Sequence, residues 1–343
     1  MTRERPTRWR QVVVTAFALA LAAAVFLLGR RVGRRPEIPA PGKLPEQLVH
    51  VRTEDDVVDA GVLFAPPRET AEPIAVIWIH GWGVNFYSPT YVRIGRALAT
   101  RGYATLAGNT RMHDIGNVEK YTISGKRVRG GGYWGLASEE VRDVAAWVDL
   151  LESLGFKKVA LAGHSAGWAA VRRYQSQSQD PRVAGLVFAS GQVRAEPGPA
   201  DADQLAQATR MIAEGNPDDL VRIPNRSFPS FVSAGTFMDG VNTPPELGDF
   251  FGVQTPNAGV TRVHCPLLAF FGTNGDVGTE QDLKLIESSV ERRSGGRTRV
   301  DTTMIRGGDH MYEGQEEQVA ATIAAWARTL REAGGPGKAP GPH

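Results

Sequence analysis

Four runs of this chain are apolar at almost every position: IAVIWI at 74–79, VALAG at 159–163, VAGLVFA at 183–189 and PLLAFFG at 266–272. A strand with one wet face alternates polar and apolar residues, so runs without that alternation must be covered on both sides. Helical patterns separate them, at 90–100, 138–154, 168–174, 280–289 and 316–331. Strand and helix in turn imply the α/β class, a mainly parallel central sheet with helices on both faces, because parallel neighbours need a crossover that packs back on the sheet. YATLAG at 103–108 and TRVDTTMIR at 298–306 supply further strands. LVHVRT and VVDAGVLF, at 48–53 and 57–64, read as an antiparallel pair about the acidic turn Glu54–Asp56.

The domain therefore runs over 48–332, and one block interrupts its rhythm. Residues 192–260 hold a helical pattern at 203–214, many turn residues, and Phe228, Phe231, Phe237, Phe250 and Phe251, which read as exposed. We expect an inserted cap there. Core packing accounts for some such aromatics, and a lid over a substrate uses the same residue types. Residues 333–343, rich in Gly and Pro, are expected to form a flexible tail.

The second apolar run leads directly into a serine. In VALAGHSAGWAA, residues 159–170, Ser165 has a glycine two residues away on either side and stands between a strand pattern and a helix pattern. A nucleophile on that turn projects from the sheet edge, the flanking glycines leave it room, and the Ala166 N–H is free to face a developing oxyanion. Ordinary loop usage of Ser and Gly explains the pattern equally well without its surroundings.

Those surroundings supply the partners a serine needs. His310 in IRGGDHMYEG follows a strand and precedes the last helix, so it can reach over the sheet edge as a base. Asp276 in AFFGTNGDVG follows another strand and can hold one imidazole nitrogen, leaving the other to face Ser165. Asp309, adjacent to the histidine, is more simply a turn-capping residue. HGWG, at 80–83, follows the first apolar run, and the Trp82 backbone N–H is the second oxyanion donor we expect beside that of Ala166. His80 and His164 read as buried hydrogen-bonding residues rather than bases.

With these motifs the sequence resembles the α/β-hydrolase fold superfamily over about 48–332. HGWG is similar to its oxyanion motif, GHSAG to its nucleophile elbow, GTNGD to its acid-bearing turn and GGDH to its histidine loop. The resemblance implies a serine esterase or lipase-like enzyme with Ser165, Asp276 and His310 as the catalytic groups, in the chain order of that superfamily. Region 80–135 is most similar to serine esterases that include siderophore-ester hydrolases.

Loop NTRMHDIGN, 109–117, places Arg111 and His113 after a strand, where they can bind an anionic or polar part of a substrate; anchoring the loop through salt bridges is the competing reading. In GGGYW, 130–134, flexible glycines precede Tyr133 and Trp134, which suit a mobile pocket wall. The run lacks the GK[ST] ending of a phosphate loop. No dinucleotide fingerprint and no HExxH metal motif occurs, so we expect no cofactor and no metal.

The N-terminus differs from everything after it. Residues 1–36 hold eight arginines against Glu4, giving +7 of the chain's net +2 and leaving the remainder at −5. Between the basic clusters, residues 11–29 contain the uncharged stretch VVVTAFALALAAAVFLLG. Its length suits a transmembrane signal anchor or a signal peptide, followed by a Pro/Arg-rich linker over 30–47. We expect a single-pass membrane protein with an extracytoplasmic domain, or a secreted one after cleavage. Positive charge that flanks an apolar segment gives no support for nucleic-acid binding. The one cysteine, Cys265, cannot form an internal disulfide.

The function these residues point to is hydrolysis of a small-molecule carboxylic ester through an acyl-enzyme. Amidase, peptidase, thioesterase and acyltransferase chemistry uses the same groups, and a membrane-tethered binding protein with a degenerate site is the alternative outside enzymes.

Overall fold

The structure is a computed structural model that describes residues 45–67, 70–116, 118–121, 127–193, 201–223 and 230–332. Strand β1 (Glu46–Arg52) alternates exposed and buried residues and pairs antiparallel with β2 (Val58–Phe64), Glu46 opposite Phe64 and Arg52 opposite Val58. The turn between them needs Asp56 in the left-handed region, at φ 72°. Then come β3 (Ile74–Ile79), α1 (Pro89–Ala99), β4 (Thr105–Gly108), β5 (Val118–Tyr121) and β6 (Arg127–Gly130), α2 (Glu140–Ser153), β7 (Lys158–His164), α3 (Gly167–Ser178) and β8 (Val183–Ala189).

After β8 the chain leaves the sheet for α4 (Ala202–Ala213), β9 (Leu220–Arg222), β10 (Phe231–Ser233), α5 (Ala234–Val241) and α6 (Pro245–Gly248). It returns as β11 (Leu267–Gly272), α7 (Glu280–Ser294), β12 (Val300–Ile305) and α8 (Glu316–Glu332). Local chemistry sets several boundaries. Pro89 opens α1, where its missing N–H costs nothing; a Thr279–Asp282 capping box opens α7, and Gly295 at φ 62° closes it.

Eight strands form one sheet in the order β1-β2-β4-β3-β7-β8-β11-β12. β2 is antiparallel to both β1 and β4, and the remaining neighbours are parallel. The chain moves outward from β3 to β4 on one side and, later, from β7 to β8 on the other. The carboxyl ends of β3 and β7 therefore flank the point where strand order reverses, the place where open α/β sheets hold their ligands.

Both faces of the sheet are covered, as the uniform apolar runs require. On one face Ile74, Val76 and Trp78 of β3 join Ile94 and Leu98 of α1 and Val319, Ile323 and Trp326 of α8 in one core. On the other, Trp168 of α3 stacks on Phe251 at 5.7 Å and meets Phe188 and Phe250 edge-on. Phe250 and Phe251 thus correct the sequence reading: both have no exposed surface and belong to the core, not to a lid. Phe231 is exposed and Phe237 packs in a small separate cluster with Ala208, Val221 and Ala234; Phe228 lies outside the described residues.

The β5–β6 hairpin was not legible in sequence. The inserted elements between β8 and β11 reach the loop that follows it: the Ser233 N–H donates to the Tyr133 carbonyl at 2.7 Å, and the Trp134 indole N–H to that of Asp218 at 2.9 Å.

The expected membrane anchor is corrected, and with it the membrane as a partner and the single-pass, extracytoplasmic placement. Among the described residues no helix is long and apolar enough to cross a membrane. The longest, α8, has 17 residues, about 25 Å at ~1.5 Å per residue against a hydrocarbon core of about 30 Å. Residues 11–29, on which the anchor and signal-peptide readings rested, lie outside the described residues, as do the linker up to residue 44 and the tail 333–343.

Candidate active site

Ser165 leaves β7 on a turn so tight that its own backbone is left-handed, φ 52°. For a residue with a side chain that conformation costs on the order of 1 kcal/mol, and surrounding contacts must hold it. Its N–H donates to the Ala189 carbonyl of β8 at 2.8 Å. The glycines on either side are there for close approach: a Cβ at Gly163 would fall 2.6 Å from Trp168 Cα, and one at Gly167 would fall 2.4 Å from the His80 carbonyl oxygen. The helix can start directly beneath the serine only because both positions lack side chains.

His310 sits in the loop after β12, which packs so tightly on the end of β11 that a Cβ at Gly272 would meet the Gly308 carbonyl at 2.1 Å. Its Nε2 is 3.1 Å from Ser165 Oγ, and its Nδ1 is 2.9 Å from Asp276 Oδ1. A carboxylate only accepts, so Nδ1 carries the proton and Nε2 is left to accept from the serine hydroxyl. Asp309 does not take part: its Oδ1 caps the backbone of Met311 and Glu313.

The Asp276 side chain has no exposed surface and receives four donors. Oδ1 accepts from His310 and the Val277 N–H, and Oδ2 from the Gly272 N–H and the Ser190 hydroxyl. Burial would raise the pKa of this carboxyl, but the bonds from His310, Ser190 and the two backbone groups outweigh it and hold the pKa below the usual carboxylate range. Ser190, having given its hydrogen to Asp276, must accept from its second partner, so the Tyr312 hydroxyl donates to it. Nothing in the local sequence marks Ser190 or Tyr312; the two lie 122 residues apart.

The Gly81–Trp82 turn lies close to Ser165, and Ala166 follows that serine in the chain. A Cβ at Gly81 would stand 3.1 Å from the Ser165 Cβ, so the 81–82 peptide lies against the serine. Ala166 is the N-cap of α3, where backbone N–H groups have no intrahelical acceptor. The Trp82 indole donates to the Gly132 carbonyl at 3.2 Å and its ring lies 6.0 Å from that of Tyr133, which in turn meets Trp134 edge-on at 5.8 Å. Backbone bonds tie the glycine-rich run to the 109–117 loop: Gly131, Gly132 and Tyr133 donate to the carbonyls of Arg111, Asp114 and Ile115.

Arg111 is a correction. All five of its N–H groups are engaged inside the protein, with Asp143, Asp55 and Glu139, and its side chain is 5% exposed. It ties the 109–117 loop to α2 and to the β1–β2 turn, which leaves no donor for a substrate. His113 likewise anchors its loop through Asp114, at 2.7 Å. Among the described residues no group of three or more His, Cys, Asp or Glu is placed to hold a metal ion.

Behind the site lie two buried imidazoles, as the sequence led us to expect. His80 Nδ1–H donates to the Gly81 carbonyl at 2.8 Å while its Nε2 accepts from the Thr110 N–H at 3.0 Å. His164 bridges the Tyr91 hydroxyl and the His310 carbonyl, each at 2.7 Å. Tyr91, on α1, escaped sequence reasoning because a tyrosine on a buried helix face looks like core.

Comparison with known proteins gives the same fold. A sequence profile described as the alpha/beta hydrolase family matches residues 76–322. The structure is similar to Est1E from Butyrivibrio proteoclasticus with ferulic acid bound (16% identity, 83% of this chain and 99% of that one, TM-score 0.56). It is also similar to the esterase domain of a Rhodothermus marinus protein (15%, 83% and 99%, TM-score 0.50) and to a thermophilic esterase from Thermogutta terrifontis (16%, 83% and 99%, TM-score 0.50). At these identities the likeness is one of fold. No curated protein matches the chain in sequence.

Proposed function

Because the chain belongs to the alpha/beta hydrolase family, we propose that it cleaves carboxylic esters through an acyl-enzyme, with Ser165 as nucleophile, His310 as general base and acid, and Asp276 as the group that orients the imidazole. The observation that carries this reading is the unbroken run of hydrogen bonds from Ser165 to His310 to Asp276, 3.1 Å and 2.9 Å, at the carboxyl edge of the sheet.

In the first half-reaction His310 Nε2 takes the proton as Ser165 Oγ attacks the ester carbonyl. Asp276, kept ionised by its four donors, stabilises the imidazolium without taking its proton. The carbonyl oxygen, now an anion, is met by the backbone N–H groups of Trp82 and Ala166; loss of one such donor typically costs about 10²–10³ in rate. His310 then returns the proton to the leaving alkoxide. In the second half-reaction a water, deprotonated by the same imidazole, attacks the acyl-serine; the imidazolium then protonates Ser165 Oγ as it leaves, which frees the acid and restores the enzyme.

An ester suits the site better than an amide, since an alkoxide leaves with less protonation than an amine. Trp82, Tyr133 and Trp134 offer flat apolar surface beside the oxyanion turn, and the relative solved with ferulic acid holds an aromatic acid. The proposed substrate is accordingly a small ester with an apolar or aromatic part. The likeness of 80–135 to siderophore-ester hydrolases finds no counterpart among the relatives named above.

Turnover of acetyl, butyryl and cinnamoyl esters of a chromogenic phenol, beside the matching anilides, tests this reading. Esters are expected to turn over and anilides far more slowly, with Ser165→Ala losing at least about 10⁴ in kcat/KM. A folded protein that hydrolyses none of them, or a Ser165→Ala variant as active as the parent, would overturn it.

A further inference from the structure

The geometry points to His164 and Tyr91 as positioning residues: they form one hydrogen-bonded strut that sets the backbone of His310 against the Gly81–Trp82 turn, across the base of the nucleophile elbow. The inference deepens the esterase reading and rests on it for its kinetic consequence.

Each bond fixes the direction of the next. The Gly81 N–H donates to Tyr91 Oη at 3.2 Å, so the Tyr91 hydrogen is free to go onward, to His164 Nδ1 at 2.7 Å. Nδ1 is therefore the unprotonated nitrogen, Nε2 carries the hydrogen, and it donates to the His310 carbonyl at 2.7 Å. Of the two neutral forms of His164, only this tautomer satisfies all three bonds, because the His310 carbonyl can only accept. The other side of the Gly81 peptide is clamped as well, its carbonyl held by His80 Nδ1 at 2.8 Å.

Burial makes the strut hard to replace. Tyr91 and His164 are each 1% exposed, so water cannot stand in for a missing partner. The His164 ring stacks on Trp78 and lies 5.0 Å from the ring of His310 and 5.7 Å from that of Tyr312. Burial, and then the nearby His310, push the pKa of His164 down to about 4, so it stays neutral when His310 takes the serine proton. A residue that packs and bonds to the base without becoming charged can hold it in place without repelling its cationic form.

The strut joins segments that hold three parts of the mechanism: the oxyanion turn at Gly81, the elbow at His164 next to Ser165, and the loop of His310. None of the three needs sequence proximity to the others, and the two side chains link all three through buried hydrogen bonds. A shift of about 1 Å between such groups can cost about 10²-fold in rate.

The test uses the full chain and two readouts. The first is kcat and KM with a chromogenic acetate ester. His164→Ala and Tyr91→Phe, each shown folded by thermal melting, are expected to lower kcat by about 10²-fold and about tenfold with KM changed less than threefold. His164→Gln, whose amide N–H can still reach the His310 carbonyl, is expected to recover about tenfold of the loss. The second readout is the downfield proton signal of His310 Nδ1–H, assigned by its absence in His310→Ala. It is expected to vanish or broaden in His164→Ala and to return in His164→Gln. A folded His164→Ala with kcat within twofold of the parent, or with that signal unchanged, overturns the positioning role. If the parent turns over no ester yet its signal depends on His164 as described, the esterase reading fails and the positioning role stands.

Discussion

Of the two roles that sequence allows Arg111, anion binding and salt-bridged loop anchoring, its partners support the second. Its guanidinium bridges Asp143, Asp55 and Glu139, and Asp143 has no exposed surface. Breaking a buried ion pair from one side costs about 3–5 kcal/mol, so Arg111→Met is expected to lower stability to chemical denaturation on that scale with KM unchanged; the reverse pattern would return Arg111 to the substrate. Glu140 lies behind the same loop, fully buried and bonded to the Thr110 hydroxyl. Burial pushes its pKa up to about 7, against that hydroxyl and the charges of Arg173 and Arg111. A carboxyl whose folded pKa is raised binds its proton more tightly when folded, so its contribution is fully present below about pH 4.5 and is lost as pH rises to about 7. Relative to the parent, Glu140→Gln should gain stability over that window, on the order of 3 kcal/mol at most; a pH-independent difference between their melting curves would refute this. Ser165, His310 and Asp276 were legible because each follows a strand pattern that fixes where it projects. Ser190, Tyr312 and Tyr91 were not, since their meaning lies in partners far along the chain.

At the scale of elements, the elbow depends on two absent side chains. Gly167→Ala would drive a methyl to within 2.4 Å of the His80 carbonyl, backbone that cannot swing aside. Overpacking of this kind costs about 1–3 kcal/mol, and here the displaced backbone adjoins Gly81. The variant is therefore expected to lose activity out of proportion to its fall in melting temperature. Alanine at Gly215, where no atom lies within 4 Å but φ is 83°, should cost stability and leave kcat alone. Strands and helices were readable because burial on both faces leaves an apolar run and burial on one leaves a 3.6-residue period. Two features were not. The β5–β6 hairpin has no two-residue turn signature, and Phe250 and Phe251 are the same residue types a lid would carry. Only their edge-on packing with Trp168 and Phe188 assigns them to the core.

For the whole molecule, the consequence of the strand order is convergence. Residues 82, 165, 276 and 310 follow β3, β7, β11 and β12, and parallel strands deliver all four to one edge. That edge was foreseeable from alternation alone, whereas membrane anchoring was inferred from residues 11–29 and has no support among the described helices. If this convergence makes Ser165 a nucleophile, as proposed, covalent labelling reads it without knowledge of the substrate. Treated with a fluorophosphonate at neutral pH and digested for peptide mass mapping, the parent protein should carry one adduct, on Ser165. The adduct should be absent from Ser165→Ala and form far more slowly in His310→Ala. A folded parent that remains unlabelled, or labels with equal speed when His310 is gone, would contradict the account.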